Sequence, residues 1–315
     1  FIGINTQLVS FLHLILMMRK ILPPLAVVFA ALLWSADGFL RQELYSISSF
    51  LVVTLEHAFG ALLFLPFLIK TWPEIKKLGQ RGWISVLWIS ICGGILGTYF
   101  YTKALSYIDY IDLSVVVLLQ KLQPIFAISL AAIILKEKLT QRFIGLALVA
   151  MLGAYLVTFG TTSIADWDDK TLIAALLATL AAFSWGSSTV LGKHALNRLP
   201  FTAVTALRLS LTAVCALIIF TVTSDGFGTL ELTTHQWRNL VIIVMSTGAV
   251  ALFIYYFGLK HMKASHATVY ELTWPLSAVF LDWIIRGHML GFAQIIGAIL
   301  LLGSMILLTR EETYG

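Results

Sequence analysis

Residues 201–223 read FTAVTALRLSLTAVCALIIFTVT, an apolar run with one charged side chain, Arg208. A helix that spans the hydrocarbon core of a bilayer needs about 20 mostly apolar residues. A strand of a membrane barrel alternates apolar and polar residues instead, and this run does not. The run therefore predicts a transmembrane helix, and it sets the scale for reading the rest of the chain.

The composition extends this prediction to all 315 residues, of which 59% are hydrophobic and 12% are charged. Soluble domains carry about 25% charged residues. Half that charge cannot cover a soluble globule of this size, which excludes a soluble enzyme, a disulfide scaffold, a disordered chain and a nucleic-acid-binding domain. We predict an all-α integral membrane protein with ten transmembrane helices, at residues 21–40, 49–69, 83–104, 112–135, 141–160, 171–192, 201–223, 237–258, 266–286 and 290–308.

The N-terminal residues are excluded from this prediction. Met17-Met18-Arg19-Lys20 reads like the beginning of a membrane protein, directly before a long apolar run. We therefore expect residues 1–17 to be non-native or upstream sequence, with an extra N-terminal helix as the alternative. The rest divides into a first unit, an outside acidic linker, a second unit and a cytoplasmic tail, at residues 18–160, 161–170, 171–309 and 310–315.

The basic residues predict the orientation. If the N-terminus is cytoplasmic, fourteen of the 21 Lys and Arg residues fall in inside segments and five in outside loops. Cytoplasmic loops of membrane proteins carry an excess of Lys and Arg. We therefore predict that both termini are cytoplasmic and that the number of helices is even. The net charge of +5 reflects this bias rather than a nucleic-acid partner.

The chain also contains an internal repeat. A shift of 151 residues superposes rare residue types, namely Trp34 on Trp185, Phe50 on Phe201, His57 on Arg208 and Pro124 on Pro275. The first copy has three extra residues near Asp109–Asp112. Because each unit carries five predicted helices, an odd number, the second unit enters the membrane from the opposite side. This predicts two inverted five-helix repeats, an architecture of secondary transporters.

The two units resemble the EamA branch of the drug/metabolite transporter superfamily over roughly residues 21–309. In the first unit, Leu122-Gln123-Pro124 is followed by Lys136-Glu137-Lys138-Leu139 and then by Gly145. The second unit has Trp274-Pro275 in place of Gln123-Pro124, and His288 where this family usually has a glutamate. The resemblance implies EamA-like repeats around a central cavity, and we place the chain in a bacterial inner membrane.

Ionisable side chains inside the predicted spans are candidate site residues. Each costs about 2.5–3.5 kcal/mol at the centre of a membrane helix. We therefore expect them to face the protein interior, where pairing, water or function offsets the cost. These residues are Glu56, His57, Lys121, Arg208, Glu271 and Asp282.

Two repeat-related prolines point to the same region. Pro124 and Pro275 cannot donate hydrogen bonds to the carbonyl groups of Gln120 and Glu271. We predict a kink in the middle of each helix that exposes a backbone acceptor beside a polar side chain. Paired interruptions in both halves of a transporter indicate a binding site. A structural kink, with Gln120 and Glu271 hydrogen-bonded across helices, is the alternative.

The charges suggest the nature of the ligand. Glu56 either pairs with Arg208 or Lys121, or binds an amine or a proton while a cation binds the substrate. Lys121, His57 and Arg208 outnumber Glu56 and Glu271, so we expect positive potential in the cavity. This favours a zwitterionic or anionic metabolite. Protons carried by a carboxylate or by His57 could drive transport.

Aromatic residues at the same depth complete the candidate site. We expect Trp34, Trp185, Tyr270 and Trp274 to line the cavity, because each lies beside a repeat-related polar position. The two cysteines are interpreted as buried free thiols. We expect no metal and no cofactor.

These features together predict a secondary active transporter, an exporter or exchanger, that moves small organic metabolites such as amino acids by alternating access. A uniporter or channel-like facilitator is the first alternative, and an intramembrane enzyme is the second. The chain has no phosphate-binding loop, so we do not expect it to use ATP by itself. It also has neither of two common hydrolase motifs, H-E-x-x-H and G-x-S-x-G. Gly93-x-x-x-Gly97 is compatible with a monomer or a homodimer.

Overall fold

The computed structural model describes residues 6–41, 44, 47–105, 119–120, 122–159, 169–223, 232–286 and 291–314, and all regular secondary structure among them is helical. The helices are α1 (Thr6–Arg41), α2 (Ser49–Ile75), α3 (Gln80–Trp88), α4 (Gly97–Leu105), α5 (Gln123–Ile134), α6 (Gln141–Phe159), α7 (Asp169–Leu196), α8 (Phe201–Thr223), α9 (Thr234–Met245), α10 (Ala249–Lys260), α11 (Ala264–Tyr270), α12 (Thr273–Arg286) and α13 (Phe292–Tyr314).

The outer surface of the helical bundle is apolar. Large side chains such as Val222, Ile133 and Leu62 are 79%, 72% and 64% exposed, and many others share this exposure. Soluble proteins rarely expose extensive apolar surface. Lipid is the solvent that suits such a surface, which confirms the prediction of a multi-pass membrane protein.

Eight helical segments of the described chain are long and apolar enough to cross a bilayer. The sequence predicts ten, and the difference lies in the fourth helix of each repeat. Much of the predicted helix 112–135 lies outside the described residues, which include α5 from Gln123 onward. The predicted helix 266–286 is divided into α11 and α12. The ninth span is therefore not one continuous helix, and the count of ten stays a prediction.

The prolines begin helices instead of kinking them. Pro124 lies in the first turn of α5, and Pro275 in the first turn of α12. Proline is well suited to this position, because N–H groups in the first turn of a helix have no intrahelical acceptor. The predicted free acceptor at Glu271 is also wrong, since its carbonyl accepts a hydrogen bond from the Trp274 amide at 3.0 Å. In the second repeat the predicted kink is thus a break between two helices, and in the first repeat α5 begins at Gln123 after a turn at Leu122.

The third helix of each repeat is interrupted as well. In the first repeat, a π-helical segment, Ile89–Leu96, connects α3 to α4. At the equivalent position of the second repeat, a turn at residues 246–248 separates α9 from α10. π-Helical insertions occur frequently at functional sites. Both repeats therefore have irregular backbone in their third and fourth helices.

Helices of one repeat pack on helices of the other. The second helices, α2 and α8, pack on each other, as do the fifth helices, α6 and α13. The first helix of the first repeat, α1, packs on α10 and α12. Its counterpart in the second repeat, α7, packs on α4 and α5 in the same way. The core therefore lies between the repeats, and the irregular helices line it.

Helix α1 fixes the distance between the two ends of the bundle. It begins at Thr6, before the predicted span 21–40, and ends at Arg41. The expectation that residues 1–17 are non-native or upstream stays a prediction. Because an α-helix rises 1.5 Å per residue, Lys20 and Arg41 lie about 30 Å apart along the axis. That distance matches the hydrocarbon core of a bilayer, so the two residues mark opposite ends of the bundle.

The contact between α6 and α13 depends on glycine. A Cβ atom on Gly153 would lie 2.7 Å from the Gly297 carbonyl oxygen, and one on Gly297 would lie 2.6 Å from the Gly153 carbonyl oxygen. No other residue type lets the two backbones approach this closely. Small residues serve the same purpose at many helix contacts in membranes.

This contact yields a stability prediction. Gly153→Ala should lower the melting temperature of the detergent-purified protein by several degrees, because overpacking typically costs about 1–3 kcal/mol. The matched control is Gly303→Ala in α13, where an added Cβ meets nothing within 4 Å. If Gly153→Ala melts at the same temperature as the control variant, the described α6–α13 contact is wrong.

Candidate functional site

A hydrogen bond joins the two helix breaks. The Gln123 side chain donates from Nε2 to Glu271 Oε2 at 2.7 Å. Gln120 in turn donates from Nε2 to Gln123 Oε1 at 3.2 Å. Gln123 is the first residue of α5, and Glu271 lies between α11 and α12. The fourth helices of the two repeats therefore meet at the residues where each of them is broken.

The polar chain continues from Glu271 to the third helix. The Tyr255 hydroxyl group donates to Glu271 Oε1 at 2.6 Å, so each carboxyl oxygen of Glu271 has one donor. The Thr189 hydroxyl oxygen lies 3.1 Å from that of Tyr255. The Trp34 ring lies 5.2 Å from the Tyr255 ring, measured between centroids. This arrangement places Trp34 beside the Glu271 cluster, and its predicted role in lining the cavity stays a prediction.

Arg208 forms a second cluster. Its Nη1 donates to the Tyr256 hydroxyl oxygen at 2.8 Å, and its Cζ atom lies 5.6 Å from the centre of the Tyr256 ring. Its Nε atom is buried and has no hydrogen-bond partner within the described chain. The same is true of Ser188 Oγ and Gln120 Oε1. Among the described residues, no carboxylate lies within ion-pair distance of Arg208.

The two clusters form one continuous site. Tyr255 and Tyr256 are consecutive on α10, and their rings lie 5.8 Å apart. Ser188 and Thr189 are consecutive on α7 and are both buried. Tyr255 and Thr189 belong to the Glu271 cluster. Tyr256 and Ser188 lie at the Arg208 cluster. We call the combined set the central site; it consists of Gln120, Gln123, Ser188, Thr189, Arg208, Tyr255, Tyr256 and Glu271.

Glu56 has a partner that the sequence analysis did not predict. One of the two alternatives for Glu56 was a pair with Arg208 or Lys121, but Arg41 Nη2 lies 2.8 Å from Glu56 Oε2. Arg41 also pairs with Asp37. The sequence analysis did not consider Arg41 as a partner because it assigned this residue to a loop, whereas α1 continues to Arg41. In the last turn of α1, the guanidinium group reaches across to α2.

These ionic residues also contact the second repeat at one end of the bundle. Thr247 donates from Oγ1 to Asp37 Oδ1 at 2.5 Å. Thr247 belongs to the turn between α9 and α10, so the contact joins the two repeats. A Cβ atom on Gly248, in the same turn, would lie 2.9 Å from Glu56 Oε1. We call Asp37, Arg41, Glu56 and Thr247 the ionic cluster.

The remaining predicted site residues lie elsewhere. The Tyr270 hydroxyl oxygen lies 2.6 Å from Thr309 Oγ1, so this side chain is directed to α13 and not to Glu271. The Nδ1 atom of His57 lies 2.8 Å from the Val53 carbonyl oxygen of its own helix. Trp185 packs over Gly97. Trp274 is half-buried beside Glu271. Lys121, His288 and the Asp282 side chain lie outside the described part of the structure.

A cavity of about 860 Å³ lies at the opposite end of the bundle from the ionic cluster. Lys20 lines it, together with several other basic residues. Two of them bind helix ends. Lys193 donates to the carbonyl groups of Leu259 and Lys260, and Lys260 donates to that of Leu196. Such contacts satisfy carbonyl groups that have no partner at the C-terminus of a helix.

Glu137 connects this cavity to the central site. Its Oε1 accepts from the Ala264 amide at 2.8 Å, and its Oε2 accepts from the Ser265 amide at 3.1 Å. The carboxylate thus caps the N-terminus of α11, all seven residues of which are buried. Glu271 follows directly after α11, about 10 Å farther along the axis at 1.5 Å per residue. A short buried helix therefore leads from the cavity to Glu271.

Among the residues of the central site, the sequence analysis proposed Gln120, Arg208 and Glu271, and it did not propose the side chains that connect them. Gln123 and Tyr255 connect Gln120 to Thr189, and neither was proposed as a site residue. A polar residue directly before a proline at a predicted helix break is a signal that could have identified Gln123. The tyrosine pair on α10 carries no comparable signal, because buried tyrosines are common.

The geometry defines a helical membrane protein with buried polar residues at paired helix breaks, the class to which membrane transporters belong. Comparison with known sequences makes this specific. A sequence model of the EamA-like transporter family matches residues 22–159 and 172–310, one match for each repeat. The chain belongs to this family, and it is a transporter rather than an enzyme.

Two named relatives support the assignment, and one solved structure shows the same fold. The riboflavin transporter ImpX of Fusobacterium nucleatum is 40% identical over 291 residues, covering 91% of this chain and 97% of ImpX. A riboflavin transporter of Brucella anthropi is 22% identical over 276 residues, covering 85% of this chain and 90% of the relative. One crystal structure has the same fold, with a TM-score of 0.72 at 18% identity over 90% of this chain and 97% of the other.

The cap on α11 can be tested by thermal stability. Glu137→Ala should lower the melting temperature, because losing a side chain that caps a helix costs about 0.5–2 kcal/mol. Glu74→Ala is the control, since Glu74 lies exposed near the end of α2. Equal melting temperatures for the two variants would show that Glu137 does not hold the N-terminus of α11.

Proposed function

We propose that this protein transports riboflavin across a bacterial plasma membrane. The observation that carries the proposal is the 40% identity to the riboflavin transporter ImpX along nearly the whole of both chains. The more distant relative from Brucella anthropi is also named a riboflavin transporter. A transported vitamin is a small organic metabolite, so this proposal narrows the substrate class expected from the sequence.

The chemistry of the central site supports a flavin. Riboflavin combines a planar aromatic ring system, a polar edge with hydrogen-bond donors and acceptors, and a chain of hydroxyl groups. Trp34, Tyr255 and Tyr256 offer aromatic surface. Pockets for small molecules are lined by aromatic side chains with a few polar groups that fix orientation. Gln120, Ser188 and Arg208 supply buried polar atoms without partners in the described chain.

The earlier expectation of an amino acid, or of another zwitterionic or anionic metabolite, remains a prediction. Arg208 is compatible with it, because a guanidinium group binds a carboxylate as readily as a carbonyl oxygen. The relatives' names favour the neutral flavin instead. Both substrates therefore belong in the transport assay.

We further propose inverted repeats and alternating access. The packing of each first helix on the third and fourth helices of the other repeat supports this topology. The cavity at the basic end, marked by Lys20, and the ionic cluster at the other end support a state open to one side. The excess of basic residues in inside segments supports a cytoplasmic location for the basic end and for both termini. Release of the ionic cluster would then open the opposite side.

The ionic cluster also argues against a channel-like facilitator. A channel needs a continuous path for its substrate, whereas at one end of this bundle Thr247 of the second repeat donates a hydrogen bond to Asp37 of the first. Transport would proceed along the substrate gradient, by exchange, or with protons. Glu271 is the carboxylate placed to take part in coupling, because it lies in the central site.

Uptake measurements in a riboflavin-requiring bacterium that lacks its own flavin transporter test this function. Expression of the protein should restore growth at low riboflavin concentration and uptake of labelled riboflavin. Glu271→Gln should reduce the initial rate by about tenfold or more, because the loss of a hydrogen bond to a charged group costs about 1.5–3 kcal/mol. The control is Glu74→Gln, at an exposed position of α2.

Two results would contradict the proposal. If the wild-type protein reaches the membrane and transports labelled amino acids but no riboflavin, riboflavin is the wrong substrate and an amino acid takes its place. If the Glu271→Gln variant transports riboflavin at the same rate as the Glu74→Gln variant, with both present in the membrane at equal abundance, Glu271 is not part of the site.

A further inference from the structure

We propose that Arg208, with Ser188 beside it, recognises an adjacent pair of acceptors on the substrate ring, a carbonyl oxygen next to a ring nitrogen. This inference rests on the proposed function, because riboflavin supplies the ring. The isoalloxazine ring has two such pairs, one formed by the C4 carbonyl oxygen and N5, the other by the C2 carbonyl oxygen and N1. The subsite would therefore determine specificity for flavins.

One edge of the Arg208 guanidinium group, formed by Nε and Nη2, has no hydrogen-bond partner among the described residues, and we call it the open edge. Its Nη1 is occupied by the Tyr256 hydroxyl oxygen at 2.8 Å, which holds the group in one orientation. Neither Nε nor Nη2 has a hydrogen-bond partner in the described part of the chain, and Nε is fully buried. The two N–H bonds on this edge are parallel. They suit a ligand with two neighbouring acceptors.

This pairing has a known counterpart in nucleic-acid recognition. Arginine reads guanine through O6 and N7, a carbonyl oxygen and the ring nitrogen next to it. The C4 carbonyl oxygen and N5 of isoalloxazine have a closely similar arrangement, because two ring carbons separate the oxygen from the nitrogen in both rings. A lysine cannot copy the contact, because its ammonium group is a point charge without a planar fork. The geometry therefore explains why an arginine, in particular, serves at this position.

Ser188 and Gly93 complete the subsite. A Cβ atom built on Gly93 would lie 3.0 Å from Arg208 Nη2 and 2.1 Å from Ser188 Oγ. The open edge and the serine hydroxyl group thus converge on the same point of the π-helical segment. Ser188 Oγ is buried and has no partner within the described chain. It can donate a further hydrogen bond to the carbonyl oxygen that Arg208 binds.

The location favours a ligand that supplies the missing hydrogen-bond partners. Arg208 lies at membrane depth without a carboxylate partner among the described residues, and unpaired polar groups at that depth are costly. Three of the four buried polar atoms that lack a described partner belong to the central site, namely Gln120 Oε1, Ser188 Oγ and Arg208 Nε. A ligand that satisfies them removes this penalty. Tyr255 and Tyr256 provide aromatic surface directly beside it.

Binding measurements with two flavin analogues test the subsite. In 5-deazariboflavin and 1-deazariboflavin, one ring nitrogen is replaced by a carbon, which removes one acceptor pair at a time. Affinity for the purified protein is measured by quenching of riboflavin fluorescence, with the analogues as competitors. We expect wild-type protein to bind one analogue about tenfold more weakly than riboflavin, the discrimination typical of a bidentate arginine contact.

The variants assign this discrimination to Arg208. Arg208→Lys should bind riboflavin about tenfold more weakly and bind the discriminated analogue equally well as riboflavin, because lysine cannot pair with both acceptors. Gly93→Ala should weaken riboflavin binding by displacing Ser188 and the open edge. Gly303→Ala, which adds the same methyl group where nothing lies within 4 Å, should bind as wild type.

The outcomes separate this inference from the proposed function. If wild-type protein binds riboflavin and both analogues equally, or if Arg208→Lys keeps the discrimination, the subsite is wrong while riboflavin transport stands. If wild-type protein binds none of the three, the proposed function itself fails. Should Arg208→Lys not fold, Ser188→Ala replaces it and is expected to weaken riboflavin binding about threefold or more, the loss of a neutral hydrogen bond. Unchanged affinity in that variant would also reject the subsite.

Discussion

The hydrogen bond from Gln123 to Glu271 joins the repeats at the position where both fourth helices are broken. In a membrane core there is no bulk water to satisfy the backbone and side-chain groups that a broken helix releases. The breaks are therefore tolerated where protein groups can satisfy one another, and this bond is the most direct example. Tyr255 extends this hydrogen-bond network to α10, in the third helix of the second repeat. Thr189 extends it to α7, the first helix of that repeat.

This constraint organises the rest of the molecule. Because the breaks meet between the repeats, each first helix packs on the third and fourth helices of the other repeat. Arg208 and Ser188 enter the same region from α8 and α7. The ionic cluster lies about one membrane thickness from the basic cavity, and the central site lies between them. Such an arrangement suits a protein that exposes one site to two sides in turn.

Sequence patterns were sufficient for the membrane class, the duplication and the family. These depend on apolar runs, a constant offset and motif spacing, which are local or one-dimensional properties. The same patterns led to Glu271 and Arg208, because an ionisable residue in an apolar run is conspicuous. They were insufficient to predict which side chain each of these residues contacts, because such contacts depend on how each helix is rotated about its axis. Successive residues of a helix differ by about 100° around that axis.

Arg41 and Tyr270 illustrate this limit in opposite ways. Arg41 follows the predicted apolar span and was assigned to a loop, but one further helical residue brings it to Glu56. Tyr270 is adjacent to Glu271 in sequence, yet its hydroxyl group contacts Thr309 on α13. Neighbours in sequence face different sides of a helix, and distant residues meet across repeats. Three-dimensional packing, which the residue pattern does not contain, decided both.

The most direct measurement is an experimentally determined structure of the purified protein with riboflavin bound. The account predicts that the flavin ring lies in the central site, with its polar edge at Arg208 and with contacts to residues at the Glu271 break. A flavin found in the basic cavity near Lys260, with the central site closed and without contact to it, would contradict the account.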